Sequence, residues 1–176
     1  EITDVAWKQA GAGPMAIVSL AHVISGEEGP AIEESQQVVY LAIPDAYRPP
    51  KPIPAPEGAV FDEVVEVDSV RLFRYSAATF NGHKIHYDRA YATEVEHYPG
   101  LIVHGPLQAT LLIERAVARH GGAHPVTLSH RGVHPMFEHQ PLRLIGTGTG
   151  TTMSLCTATL PEHGGHQGMQ VKAEWA

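Results

Sequence analysis

Two stretches hold residue types that could do chemistry. Asn81-Gly-His-Lys-Ile-His86 sets two imidazoles three positions apart, with a primary amide in front of them. Leu101-Ile-Val-His-Gly105 carries a third imidazole and leads into Pro106. An imidazole titrates near neutrality and can take up or release a proton, so proton transfer is the chemistry these residues offer. Taken alone, His86 is more often a turn histidine and His104 a structural one, while His83 is equally a supporting or an exposed side chain. His83 with His86, or His124, His130, His134 and His139, invite a metal reading, but their spacings match no fixed-face ligand motif, and no metal is expected. No GxSxG and no recognisable Cys–His arrangement is present, so nucleophilic hydrolysis lacks a visible nucleophile.

The element that must position these residues follows Pro106. Leu107, Leu111, Leu112, Ile113, Ala116 and Val117 cover most of a helical circumference, which predicts a helix over 106–120 that is buried along most of its length. Proline suits the first helical position, where its missing N–H has no intrahelical partner. Gly121-Gly122 supplies the stop, and Arg119 and His120 sit favourably at the negative end of the dipole. The backbone N–H groups of 101–105 then point, positive end first, at whatever binds there. Periodicity by itself also allows a plain buried helix with a glycine turn.

Ahead of this helix, Val60–Val67 reads as a short strand, and Asp68 or Ser69 as the cap of a helix through Ala77. Asp88 could cap a second short helix from Arg89 to Val95. After it come β-rich segments at Val126–Val133, Leu142–Gly146, Met153–Leu160 and Gly168–Trp175, the last two joined by a turn at Pro161–Gly165. Near the start, Met15–Ile24 and Ile32–Ile43 form a hairpin about the Ser25–Gly29 turn. Residues 1–13 give little beyond a glycine-rich turn at Gly11–Pro14. Pro49, Pro50, Pro52, Pro54 and Pro56 make 46–59 a semi-extended linker. The first hairpin weakly repeats the last. On that reading residues 1–45 are the remnant of a first unit lacking about one hundred residues, and 60–176 form a complete second one.

Composition bounds the partners. A chain of 176 residues that is 43% apolar can bury a real core. Its net charge of −7 and pI near 5.9 argue against nucleic acid and membrane surfaces, which require clustered Lys and Arg. One cysteine, Cys156, excludes an internal disulfide and fits a reducing compartment. Cytoplasmic location, or the mitochondrial matrix in a eukaryote, is expected. The chain opens on Glu1, which is read as a trimmed or fragmentary form.

Phe73–Ala92 and Pro99–Leu107 together resemble the MaoC-like, hydratase-2 branch of the hotdog superfamily. The resemblance is closest to mesaconyl-CoA and itaconyl-CoA hydratases and to type 2 hydroxyacyl-thioester dehydratases. Tyr75, Thr79, Ile85, His86 and Ala92 fall on that family's pattern positions. Phe80 and Asn81 stand where the broader family has Gly and a catalytic Asp, His83 where it has Asn, and Lys84 where it has Pro. An amide cannot carry a proton, so the usual Asp/His dyad is incomplete.

The resemblance implies an α+β hotdog fold, an antiparallel sheet wrapped around the long helix, as a truncated double hotdog. It implies a hydro-lyase that reversibly adds water to a short or branched enoyl-CoA thioester, with CoA only as part of the substrate, no separate cofactor, and a homo-oligomer of paired hotdog units. His86 is then the base, Asn81 orients the water, and the N–H of Gly105 meets the thioester oxygen as charge gathers there. His83 and His104 are candidate substrate contacts, each with a structural alternative. Arg131 is a candidate for the phosphate-bearing arm of CoA, or else a surface ion pair. A hotdog thioesterase, using an acid such as Glu94 or Glu96, and a non-catalytic acyl-CoA-binding subunit are the rival readings.

Overall fold

The computed structural model describes residues 1–10 and 13–176, so Gly11 and Ala12 of the expected Gly11–Pro14 turn lie outside the described residues. The chain divides into two compact units, Glu1–Asp45 and Ala46–Ala176.

The first unit is a three-stranded antiparallel sheet ordered β1-β2-β3, with β1 Ile2–Ala10, β2 Gly13–Gly26 and β3 Gly29–Leu41. The β2–β3 hairpin falls where the sequence placed it, turning at Glu27-Glu28 with Gly29 at φ 114°. Residues 2–10 are a correction: they pair along β2, from Ile2↔Leu20 to Ala10↔Gly13. Asp4, Lys8 and Gln9 hid that strand by diluting its apolar pattern, and cross-strand pairing overrides weak propensity.

In the second unit a five-stranded antiparallel sheet is ordered β4-β6-β7-β8-β5. Its strands are β4 Phe61–Val65, β5 Thr127–Gly132, β6 Leu142–Thr147, β7 Thr152–Thr159 and β8 Gln167–Glu174. Helix α1 spans Ser69–Ala78, capped by Asp68, whose Oδ1 accepts the Arg71 N–H at 2.8 Å. Helix α2, Gly105–Arg119, packs on β6, β7 and β8. Leu107, Gln108, Ala109, Leu111, Leu112 and Ala116 are buried, whereas Thr110, Glu114 and Ala118 face solvent. With Pro106 also exposed, one solvent-facing stripe at every fourth residue runs the length of α2, and its remaining faces are largely covered. Leu112 is fully buried with Leu72, Met136, Leu142 and Leu144, and truncating such a leucine to Ala costs roughly 2–5 kcal/mol.

At its C-terminal end, α2 gives way to Gly121 and Gly122, both with positive φ, and the Gly122 N–H closes on the Val117 carbonyl at 2.9 Å. The His120 ring stacks on Trp175, 3.7 Å between centres and 4° from parallel, which ties the helix end to the end of the sheet.

The segment 46–59 holds no helix and no regular strand, as its prolines require, but it is not a free tether. Gln167 donates through its backbone N–H to the Ile53 carbonyl and through its amide to the Pro54 carbonyl, both at 2.8 Å. The Ala55 N–H donates to Gly165, and Ala55 packs on Ile145, Cys156 and Ala158, on the sheet face away from α2. Tyr47 lies against the rings of Tyr98 and Phe137. A linker was expected because proline excludes regular structure; proline leaves docking of an extended chain open. No described helix is long and apolar enough to cross a membrane.

Candidate active site

Helix α1 ends at Thr79, and the chain turns through Phe80 at φ 53° into a loop and the 3-10 turn Lys84–His86. A π-helical turn follows at Tyr91–Val95, with the Asp88 carboxylate accepting the Tyr91 N–H at 3.0 Å. The extended segment 101–103 then runs between two neighbours. Ile102 N–H donates to Ile85, Val103 N–H donates to Met136, and Glu138 N–H donates to Leu101. These bonds bring the two chemistry-bearing stretches together.

His86 is buried, and its Nδ1 lies 2.8 Å from the Ile102 carbonyl oxygen. A carbonyl only accepts, so Nδ1 carries the proton and Nε2 keeps its lone pair. Burial pushes the His86 pKa below the usual histidine value; the Ile102 hydrogen bond opposes this, His83 adds to it and Glu96 opposes it. The result is a neutral imidazole with a fixed tautomer, the state a general base must hold.

Behind His86 lies His104, 0% exposed, its ring stacked at 3.7 Å and 19°. Its Nε2 is 2.8 Å from Ser76 Oγ. Burial, and then His86, hold its pKa down at about 4. The expected substrate contact by His104 is corrected: it offers no surface, because α1, Tyr75 and His86 enclose it. It holds the His86 ring flat.

Gly105 begins α2, and its N–H has no intramolecular partner among the described residues. The N–H groups of Ile102 and Val103, by contrast, are spent on neighbouring backbone and that of Leu101 on the Glu138 carboxylate, so His104 and Gly105 are what remain of the donor row expected over 101–105. A cavity of about 310 Å³ opens beside it, bounded by Ile102, Gly105, Gln108, His134 and Met169. Gln108 is buried at its wall, accepting from Thr157 at 2.6 Å and donating to the Val103 carbonyl at 3.2 Å.

Asn81 is half-buried, and its Oδ1 accepts the His83 N–H at 3.1 Å. That bond fixes the loop and the direction of the amide, and it leaves the second lone pair of Oδ1 open to a water. His83 stands edge-on to His86, 5.8 Å between centres, and bonds to Glu96 through Nε2 at 3.0 Å. Sequence reasoning tied Glu96 only to the thioesterase alternative and missed this pairing across thirteen residues; no local pattern signals it.

Arg131 is not brought to this site. It pairs with Gln170 on the sheet face opposite Met169 and Val171, in a separate cavity of about 490 Å³ lined also by Ser129, Cys156 and Lys172. The strand's alternation sends Gly132, not Arg131, to the side of Gly105, so Arg131 stands away from His86 and Gly105, on the face that carries Lys172. Among the described residues no group of three His, Cys, Asp or Glu side chains is placed to hold a metal.

The sequence pattern of the hydroxyacyl-thioester dehydratase type 2 family matches residues 2–138. The chain belongs to that family. It is 40% identical over 162 residues to mesaconyl-C(4)-CoA hydratase of Chloroflexus aurantiacus, a match covering 88% of this chain and 55% of that protein. It is 36% identical over 126 residues to the mitochondrial hydroxyacyl-thioester dehydratase type 2 of Schizosaccharomyces pombe, covering 68% of this chain and 40% of that one. The chain thus spans about half the length of the curated relatives it matches. Among solved structures, HtdX from Mycobacterium tuberculosis superposes with a TM-score of 0.73 at 15% identity, over 100% of this chain and 67% of that one. The fold is the α+β hotdog that the resemblance implied.

Proposed function

We propose that this chain carries the active site of a hydro-lyase that reversibly adds water across the double bond of a short or branched enoyl-CoA thioester, of the mesaconyl-, itaconyl- or 3-hydroxyacyl-CoA type. The observation that carries the reading is the His86 tautomer. With Nδ1–H committed to Ile102, the free Nε2 of a buried neutral imidazole is a ready base for water. The Gly105 N–H, at the positive end of α2, is the donor for the thioester oxygen as enolate charge develops. The absence of a side chain there lets the thioester approach the backbone. The acyl group would lie in the cavity by Gln108 and Met169. CoA enters as part of the substrate, and the mechanism asks for no further cofactor.

Two finer readings accompany this one. Sheets of hotdog units join edge to edge, and β4 and β5 are edge strands here, which favours a homo-oligomer of paired units. The single, buried Cys156 favours the cytoplasm, or the matrix in a eukaryote.

Loss of enoyl-thioester absorbance on a panel including mesaconyl- and itaconyl-CoA tests the proposal, run beside His86→Ala. Turnover that falls about 10²–10⁴-fold in the variant is expected. Silence on the whole panel, or release of free thiol in place of hydration, refutes it.

A further inference from the structure

Adding water to a double bond takes two proton transfers. The attacking O–H loses a proton, and Cα gains one. His86 accounts for the first. Asn81 cannot perform the second, since an amide neither gives nor takes a proton in this range, and its oxygen is bound to the His83 N–H.

A carboxylate reaches the same place from elsewhere in the chain. Glu96, directly after the π-helical turn, has a side chain only 13% exposed, and its Oε1 lies 3.0 Å from His83 Nε2. The His83 ring is in turn edge-on to His86 at 81°, with its side chain 52% exposed. One face of His83 thus meets the base and another meets water. Phe80 at φ 53° and His97 at φ 60° are the two non-glycine residues in the left-handed region among the described residues. They are the chain neighbours of Asn81 and Glu96. Strained backbone of this kind persists where the surroundings over-determine it, and it clusters at functional sites. Here it brackets the two segments that present the pair.

We propose that His83 and Glu96 form the second acid–base unit of the site, with His83 as proton donor to the substrate and Glu96 as its positioning carboxylate; this rests on the hydratase reading above. In the hydration direction His86 Nε2 takes a proton from water as the oxygen bonds to Cβ. The π electrons move to Cα and the thioester oxygen, and imidazolium Nδ1–H of His83 protonates Cα. Nε2–H stays on Glu96 throughout. His86 then releases its proton and exposed His83 regains one from solvent, so one water is added and no other reactant is consumed. The titratable groups facing His83 are Glu96 and His86, with Tyr91 and Tyr98 near Glu96 in turn and Lys84 over the Tyr91 ring.

The test is steady-state hydration by the full chain and by Glu96→Gln and His83→Gln, using the best substrate of the panel, with kcat against pH and melting temperatures. Both variants are expected to stay folded, to lose about 10²-fold in kcat with KM within about threefold, and to lose the high-pH fall in kcat that marks the acid. Glu96→Asp should keep that limb and part of the rate, and it replaces Glu96→Gln if the amide does not fold. Undiminished kcat in both variants overturns the proposal, and so does a lowered kcat whose profile keeps both limbs, the result of a purely structural pair. Absence of turnover in the unsubstituted chain is a different failure: it removes the hydratase reading before any variant is compared.

Discussion

The imidazoles of His86 and His104 lie face to face, 3.7 Å between centres, with His104 wholly buried and held neutral, its pKa at about 4. The unfolded chain accepts a proton on this side chain near pH 6.5, whereas the folded chain resists it until about 4. As pH falls through that window the unfolded state binds more protons and stability drops, by roughly 3 kcal/mol from His104 by the lower end. His86 and His166, pushed in the same direction by burial, steepen the fall. Urea unfolding at intervals from pH 7.5 to 4 should show it, and His104→Phe, which keeps a flat ring but cannot titrate, should show a shallower slope.

Gly105 tolerates a methyl group in the fold but not in the reaction. An added Cβ meets the Cε of Met169 at 3.2 Å, the end of a flexible side chain. Gly105→Ala should therefore keep its stability within about 1 kcal/mol. The same methyl stands beside the N–H that the thioester must approach, so kcat/KM should fall between about ten- and a hundredfold. Denaturant melts and initial rates on one preparation separate the two effects.

The Arg89–Glu138 pair reaches the base through the backbone. The guanidinium donates to both oxygens of Glu138, at 2.6 and 3.0 Å, and that carboxylate is 7% exposed and also accepts the Leu101 N–H at 3.4 Å. Removing the arginine leaves a nearly buried charge unpaired, at a cost of about 2 kcal/mol. It also loosens segment 101–103, whose Ile102 carbonyl sets the His86 tautomer. Arg89→Ala should lose both stability and kcat, while Arg89→Lys should restore the charge but not the two-pronged geometry, and so recover only part of each.

Much of this was legible in the sequence because it is local. Asp68 capping α1, Pro106 and Gly121 bounding α2, and the four strands after α2 are written in neighbouring residues. The His86 and Gly105 assignments came from a resemblance whose two blocks lie side by side in the fold. The remainder is long-range. Strand β1 is stabilised by its pairing with β2; Glu96 meets His83 across thirteen residues; and the face that Arg131 takes is not readable from its position along a strand until the register is known. The docking of 53–55 on the β7–β8 turn depends on bonds to Gly165 and Gln167, more than a hundred residues away.

Gly146 marks where the sheet leaves no room. It pairs with Phe61 across β4 and β6, and a Cβ there would overlap the Phe61 ring, itself buried and stacked under the Arg119 guanidinium. Gly146→Ala should destabilise the domain by about 1–3 kcal/mol, as overpacking does. The double variant with Phe61→Leu should recover part of the loss in thermal melts.

The strand order has a consequence for synthesis. Strand β5 follows α2 directly in the chain, yet it joins the sheet only through β8, the last of these five strands to be made. Until residue 174 has left the ribosome, β5 has no partner and the α2 face destined for β8 is uncovered. Strands β4, β6 and β7 can pair with one another as they emerge and cover part of α2, but β5 and the remaining apolar face of the helix are closed over only by a late final event, a window in which a chaperone has the most to hold.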